Sequence, residues 1–398
     1  MKSFVKWAAI ALLVVAVLIV AREPLYWQRY IGALLYGGDQ LPLSLYTPRV
    51  SLRGGDEPPA PRETPASELL DPVALQAAAE YAGKHSSKAL IVTRHGYLVF
   101  EKYWQGTNFD TPVASQGLGR VVAALAVGAA ISQRNIGWPD EPIGFLIPAL
   151  QRDPRGLITV RNLLQSSSGL GKAPASADAG HVDGSSRVAF TADAIGQYLH
   201  LPLAAPPGTR WLDQSADPDL LAFVIQKATG QSYADYVSHT IWRRIGAADA
   251  TLWLDRPGGA AHADQGFIAH QGDWLRVAEL LLRNGNYQGA EVIVPRWVSQ
   301  LLQPAKSNPD YGAYIRLGTH TAQGMTPYAM NDVFLVEGRG NRLWFVPSMQ
   351  IAILRTGGPV GSDWDDGRIP NLILRSARDY LPPAARPGGD LRQLVPNH

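Results

Sequence analysis

The chain has 398 residues, 46% of them hydrophobic, a formal net charge of +2 and no cysteine. That length allows one large domain or two ordinary ones with a sizeable core, and the apolar content excludes wholesale disorder. Balanced charge without a Lys/Arg block argues against a nucleic-acid partner, and the lack of Cys removes disulfides, thiolate nucleophiles, Cys-type zinc sites and a lipidated Cys.

At the amino terminus Lys2 and Lys6 precede an uncharged apolar run from Trp7 to Ala21, closed by Arg22. With Lys6 snorkelling to the headgroups the run is adequate to span a bilayer, so residues 1–22 are expected to be a transmembrane anchor. The alternative is a secretory signal peptide, with bulky Ile19 at the −3 position of a cut after Ala21. Lysines before the helix place the amino terminus in the cytoplasm and the body in the periplasm, single-pass in the inner membrane. Tyr26, Trp27, Tyr30 and Tyr36 suit the membrane interface. Residues 23–70 are expected to be a juxtamembrane segment and linker, since 38–70 are rich in Pro and Gly with little periodicity.

Asp71 followed by Pro72 predicts a helix start. Lys88–Thr93 and Tyr97–Trp104 read as strands around an Arg94-His95-Gly96 turn. Gly117–Gln133 is apolar nearly all round and predicts a buried central helix. Helices are expected over 159–165, 191–199, 218–229, 233–245 and 272–283, and strands over 314–317, 333–336, 342–346 and 351–355. A helix over 370–380 and a loose tail over 383–398 complete the chain. Strands at both ends with helices between predict an α+β fold. One sheet is assembled from 71–116 and 263–382, with a helical part over 117–262 and a cleft between the two.

Several segments resemble one known family. Val113–Ile131 is similar to the active-site helix of serine β-lactamases and penicillin-binding proteins, which opens with Ser-x-x-Lys. Ile158–Leu170, Pro207–Arg210 with Leu220–Tyr236, and Val346–Gly357 resemble further segments, in order, of the class C β-lactamase-like group. That group includes carboxylesterases, D,D-peptidases and 6-aminohexanoate-dimer hydrolases. The resemblance implies a transpeptidase-like fold, an antiparallel sheet flanked by helices with a helical insertion; no cofactor is expected, and the nine scattered His, without His-x-x-x-His or Glu-x-x-His spacing, give no expectation of a metal. The resemblance also implies a Ser nucleophile, a Lys one turn on, a Tyr-x-Asn segment and a Lys- or His-bearing late Gly motif.

This sequence departs at each of them. The Ser position is Gly117, the Lys position Arg120, the Tyr-x-Asn positions Asp213-Gln214-Ser215, and the late motif Glu337-Gly338-Arg339-Gly340-Asn341-Arg342. An Arg stays protonated and cannot act as the base. The expectation is an impaired or inactive enzyme that binds a peptidoglycan-derived or small amide or ester ligand, or a protein partner. Gly117, Arg120, Asp213, Gly338 and Arg339 would lie in the cleft, and Arg120 would pair with Asp213. The alternative is an active hydrolase using a displaced nucleophile such as Ser115, against which stands a structural hydroxyl or helix cap. Ser215 and Ser166–Ser168 read as polar loop positions, and His262, Asp264 and His270 as a solvated loop near the cleft rather than a metal site.

Overall fold

The computed structural model describes residues 2–36, 41–55, 57–172, 188, 190–318 and 326–381. The expected tail at 383–398 lies outside them. Two helices open the chain, α1 (Lys2–Arg22) and α2 (Pro24–Tyr36). Helix α1 is long and apolar enough over Phe4–Arg22 to cross a membrane, a property signal sequences share.

Six strands form an antiparallel sheet drawn from both ends of the domain. They are β2 (Ser87–Arg94), β3 (Tyr97–Tyr103), β9 (Arg316–Leu317), β10 (Phe334–Glu337), β11 (Arg342–Val346) and β12 (Ile351–Gly357), ordered β3-β2-β12-β11-β10-β9. The β2–β3 hairpin turns through His95 and Gly96, both at positive φ, as a tight turn between twisted strands requires. Helices α3 (Pro72–Lys84) and α12 (Arg368–Ser376) cover one face. Asp71 caps α3, its carboxylate accepting from Val73 N at 2.8 Å, and Pro72 occupies the first helical position, where no donor is needed.

The other face carries the main core around α4 (Gly119–Ser132), whose Ala, Val and Leu residues are buried on nearly every side. Its Gly128 lets a ring approach: a Cβ there would sit 2.2 Å from Trp297 of α11 (Pro295–Leu301), whose indole donates to Ala124 O at 2.9 Å. Around it lie α5 (Ile143–Leu146), α6 (Val160–Leu164), α7 (Ala194–His200), α8 (Ala216–Thr229), α9 (Tyr233–Val237) and α10 (Gln271–Leu282). The run expected as one helix over 233–245 passes into a π-helical turn at Ser238–Trp242.

A second antiparallel sheet, ordered β1-β5-β6-β4, joins β1 (Arg49–Leu52), β4 (Pro112–Ala114), β5 (Ala250–Trp253) and β6 (Phe267–His270). A short pair, β7 (Asn286–Tyr287) and β8 (Ala290–Glu291), stands apart. Strand β1 corrects the expectation of a structureless linker across 38–70. Arg49–Leu52 pairs with Trp253–Ala250, Arg276 donates to Glu57 O and Pro58 O at 2.7 Å each, and Arg62 bridges to Leu98. Three of the interface aromatics are corrected too, the side chain of Tyr36 lying outside the described residues. Tyr26 is buried in a cluster with Tyr46, Phe190 and Trp253, with Trp27 and Tyr30 packed against it, on the domain rather than facing lipid.

Candidate functional site

Strand β4 runs directly into α4 through Ser115–Leu118, so the sheet fixes where this helix starts. Ser115 is fully buried, and its hydroxyl donates to Asp264 O at 2.8 Å and accepts from Phe267 N at 3.3 Å. Its oxygen therefore joins the entry to α4 to the segment preceding β6 and points into protein. Gln116 and Gly117 follow at φ +48 and +120. The second value is one that a residue with a side chain rarely adopts.

Gly117 faces the turn between β10 and β11. A Cβ on Gly117 would lie 2.5 Å from Gly338 Cα and 2.8 Å from Glu337 O, and one on Gly338 would lie 2.3 Å from Gln116 O. The two backbones are thus in direct contact. Arg339 N donates to Gln116 O at 2.7 Å, and Asn341 Nδ2 donates to Ala114 O and Ser115 O at 3.0 Å each. The side chain of Arg339 is exposed, so of the expected cleft residues it takes part through its backbone.

Arg120 sits one turn further along α4. Its guanidinium meets Asp264 in a bidentate pair, Nε to Oδ1 at 2.8 Å and Nη2 to Oδ2 at 3.2 Å, and donates from Nη1 to Asp213 Oδ1 at 2.7 Å. The expected pairing with Asp213 is present, but the two acids differ. The Asp264 side chain is 2% exposed and the Asp213 side chain 54%. Ser215 Oγ donates to Asp264 Oδ2 at 2.6 Å and accepts from Gln265 Nε2 at 2.8 Å. Burial would lower the Arg120 pKa, but the charges of Asp264 and Asp213 overcome it and hold it well above its ordinary value. The Tyr314 ring lies 5.9 Å from the same guanidinium.

The sequence places Asp264 in a solvated loop, and the structure corrects this. His262 and Asp264 are both buried; Asp264 N donates to Asp219 Oδ1 at 3.1 Å, and His262 Nδ1 lies 3.5 Å from Asp219 Oδ2. The one available signal is an acid two residues after a His in an otherwise apolar stretch. Burial pushes Asp219 up, and pushes neighbouring Asp217 to about 7 against weak contacts from Ser168 N and Gln214. Ser166 is buried beside this network, and Ser167 Oγ donates to Asn162 O at 3.3 Å.

Among the described residues a void of ≈ 10 Å³ is lined in part by Arg120, Ser166, Trp211, Asp213, Tyr311 and Glu337, and a second of ≈ 160 Å³ lies on the other side of the segment entering α4, lined in part by Ala114, Gln116, Asn341 and Thr356. The first is about the space one water needs, whereas small-molecule pockets run to roughly 300–1,000 Å³. Trp211 and Tyr311 stack across this smaller void with ring centroids 4.8 Å apart, and Tyr311 OH donates to Glu337 Oε1 at 2.7 Å.

Comparison with known proteins agrees with the order of these elements. Part of the chain is 27% identical over 158 residues to a 6-aminohexanoate-dimer hydrolase of Paenarthrobacter ureafaciens, an alignment covering 38% of this chain and 39% of that relative. A Bacillus anthracis structure, provisionally assigned as a 6-aminohexanoate-dimer hydrolase, superposes with a TM-score of 0.68. It is 19% identical and covers 83% of this chain and 89% of its own. A penicillin-binding protein from Bacillus halodurans gives 0.56 at 15% identity, covering 75% and 98% respectively. At these identities the structural likeness establishes the fold, a β-lactamase/transpeptidase-like arrangement of antiparallel sheets flanked by helices. With residues 75–354 matching the Beta-lactamase family model, a span that holds α4, the Arg120 network and the β10–β11 turn, the chain belongs to the Beta-lactamase family.

Proposed function

We propose that this chain is a membrane-anchored member of its family that performs no acyl transfer at the family's site and works as a binding or interaction module. Anchored by α1 with its amino terminus in the cytoplasm, it presents the domain on the periplasmic side. One observation carries the reading: at Gly117, the position the family resemblance assigns to the nucleophile, the space a side chain would need is filled by the backbone of Glu337 and Gly338. Two others support it. Arg120 is committed to Asp264 and Asp213, and its guanidinium does not deprotonate to serve as a base. The Ser115 hydroxyl, the fallback nucleophile, is spent on two buried backbone groups. Among the described residues the void beside Arg120 is too small for an amide or ester substrate, so a partner is met elsewhere.

The test is covalent labelling of the full chain with a fluorophosphonate and with a fluorescent penicillin, read by intact mass and peptide mapping. The expected result is no adduct and no turnover of a chromogenic β-lactam or p-nitrophenyl ester above the buffer rate. A stoichiometric adduct on Ser115, Ser166, Ser215 or any other Ser overturns the proposal and restores an active hydrolase.

A further inference from the structure

Helix α2 has two apolar sides. One, carrying Tyr26, Arg29, Tyr30 and Ala33, packs on the domain. Gly32 belongs to this side as well, since a Cβ there would meet the Leu45 side chain at 2.6 Å. The other side leaves Ile31, Leu34 and Leu35 exposed at 45%, 54% and 73%. A helix that covers a domain with one face and needs only water on the other would carry polar residues there.

The packed side is held by Arg29, a buried cation with no carboxylate in hydrogen-bond contact among the described residues. Its guanidinium donates to Thr47 O, Phe190 O, Thr191 O, Leu254 O and Asp255 O at 2.7–3.2 Å and lies 5.0 Å from the Trp253 ring. Burial lowers its pKa to about 10, so it remains charged at neutral pH. Carbonyls from three separate segments, at Thr47, at Phe190–Thr191 and at Leu254–Asp255, converge on one side chain, which fixes α2 to the domain in a single arrangement.

Only Glu23 separates α2 from the end of α1 at Arg22. The first domain-buried residue of α2, Tyr26, therefore lies about 6 Å of helical rise beyond the span. No tether of useful length exists between the bilayer and the domain.

We propose that the Ile31–Leu34–Leu35 face of α2 is a lipid-contacting surface, seated at the headgroup–acyl boundary. With α2 clasped through Arg29, the domain is held against the bilayer in one attitude. The occupant is argued from continuity: α2 follows the apolar span α1 after one residue, and its exposed face is of the chemistry that interfacial helices bury in lipid. The inference rests on α1 acting as an anchor, and the experiment separates the two.

The chain has no cysteine, so single-Cys variants report cleanly. Ile31→Cys, Leu35→Cys and, on the far layer, exposed Val73→Cys are labelled with an environment-sensitive fluorophore in the full chain. Each is reconstituted in phosphatidylcholine/phosphatidylglycerol nanodiscs and titrated with lipids brominated near the glycerol end. Several-fold stronger quenching at 31 and 35 than at 73 is expected. In Arg29→Ala, lipid-acceptor energy transfer from a donor at 73 should broaden while the probe at 35 stays quenched. Equal quenching at 31, 35 and 73 overturns the proposal. Disulfide cross-linking of two copies of the unlabelled Leu35→Cys variant, without quenching of its labelled form, also overturns it and assigns the face to a second copy. Recovery of the chain in the soluble fraction after flotation overturns the anchor reading and the lipid face with it, and is read before any probe is attached.

Discussion

The ion network at the site makes a graded prediction. In Arg120→Met the side-chain volume is nearly kept, but Asp264, 2% exposed, loses both guanidinium contacts and keeps the Ser215 hydroxyl at 2.6 Å. A buried charge stripped of its partner costs about 3–5 kcal/mol. Asp213 shares the same guanidinium at 2.7 Å but with its side chain 54% exposed, where water replaces the lost partner; Asp213→Ala should cost below about 1 kcal/mol. Asp264→Asn removes the buried negative charge and leaves Arg120 with its half-exposed partner, an intermediate loss of about 2–3 kcal/mol. The double variant Arg120→Met/Asp264→Asn should be less damaged than the sum of its parts by more than about 1 kcal/mol, the coupling expected of groups in contact. Urea unfolding of the full chain in detergent, followed by the fluorescence of its 11 tryptophans, measures all four. Equal losses for Asp213→Ala and Arg120→Met, or strict additivity in the double variant, would refute the argument that burial decides the energetics here.

A Ser at the position the resemblance assigns to the nucleophile should damage the protein rather than confer acyl transfer. Gly117→Ser places a Cβ against backbone at 2.5 Å and imposes φ +120 on a residue with a side chain; the overpacking and the strain together predict a loss of about 2–6 kcal/mol. Gly117→Ser/Arg120→Lys should still take up no fluorophosphonate, and a labelled, fully stable double variant would mean that the β10–β11 turn swings away. Asp217 predicts a pH dependence. With a folded pKa near 7 against 3.8 for the free side chain, the folded state holds a proton that the unfolded chain has released between those values. Its contribution is therefore complete below pH 3.8 and lost as pH rises through 7, a decline of up to about 4 kcal/mol. Asp217→Asn keeps the acceptor for Ser168 N and should flatten this part of the profile, its advantage over the parent growing from about pH 5 to about pH 8 in thermal melts. A parallel pair of curves would show that Asp217 is ionised in the fold at neutral pH.

Legibility in the sequence follows the range of the interactions involved. The β2–β3 hairpin, the cap at Asp71 and the buried helix α4 are written in adjacent residues, and each is readable from them. Complementary charge at two family positions is enough to pair Arg120 with Asp213. Asp264 escapes such a reading because it reaches Arg120 from 144 residues away, on an irregular segment with no periodicity to mark it as buried. Strand β1 is hidden for the same reason: its neighbourhood is Pro- and Gly-rich, and what makes it a strand is its pairing with distant β5. The aromatics after α1 have the composition of an interface belt, and composition alone does not distinguish a ring facing lipid from one facing a domain placed a single turn beyond the span.

The same short segment, Ala114–Gly117, is gripped from two sides. Ala114 belongs to the cluster that receives α2, and Gly117 lies under the β10–β11 turn, whose Asn341 holds the carbonyls of Ala114 and Ser115. A serine hydrolase needs the reverse arrangement at this point, an oxygen left free at the head of the helix and a base beside it with a lone pair to offer. Here three polar groups at the head of the helix are already paired: Ser115 with backbone, Arg120 with two carboxylates, and Ser215 with Asp264. Reopening such a site requires a backbone turn to move as well as side chains to change, because the glycine contact is main chain against main chain. On the proposed reading the glycine at the family's nucleophile position and the main-chain contact that covers it go together, and substitutions at Gly117 and Arg120 alone should not produce acyl transfer.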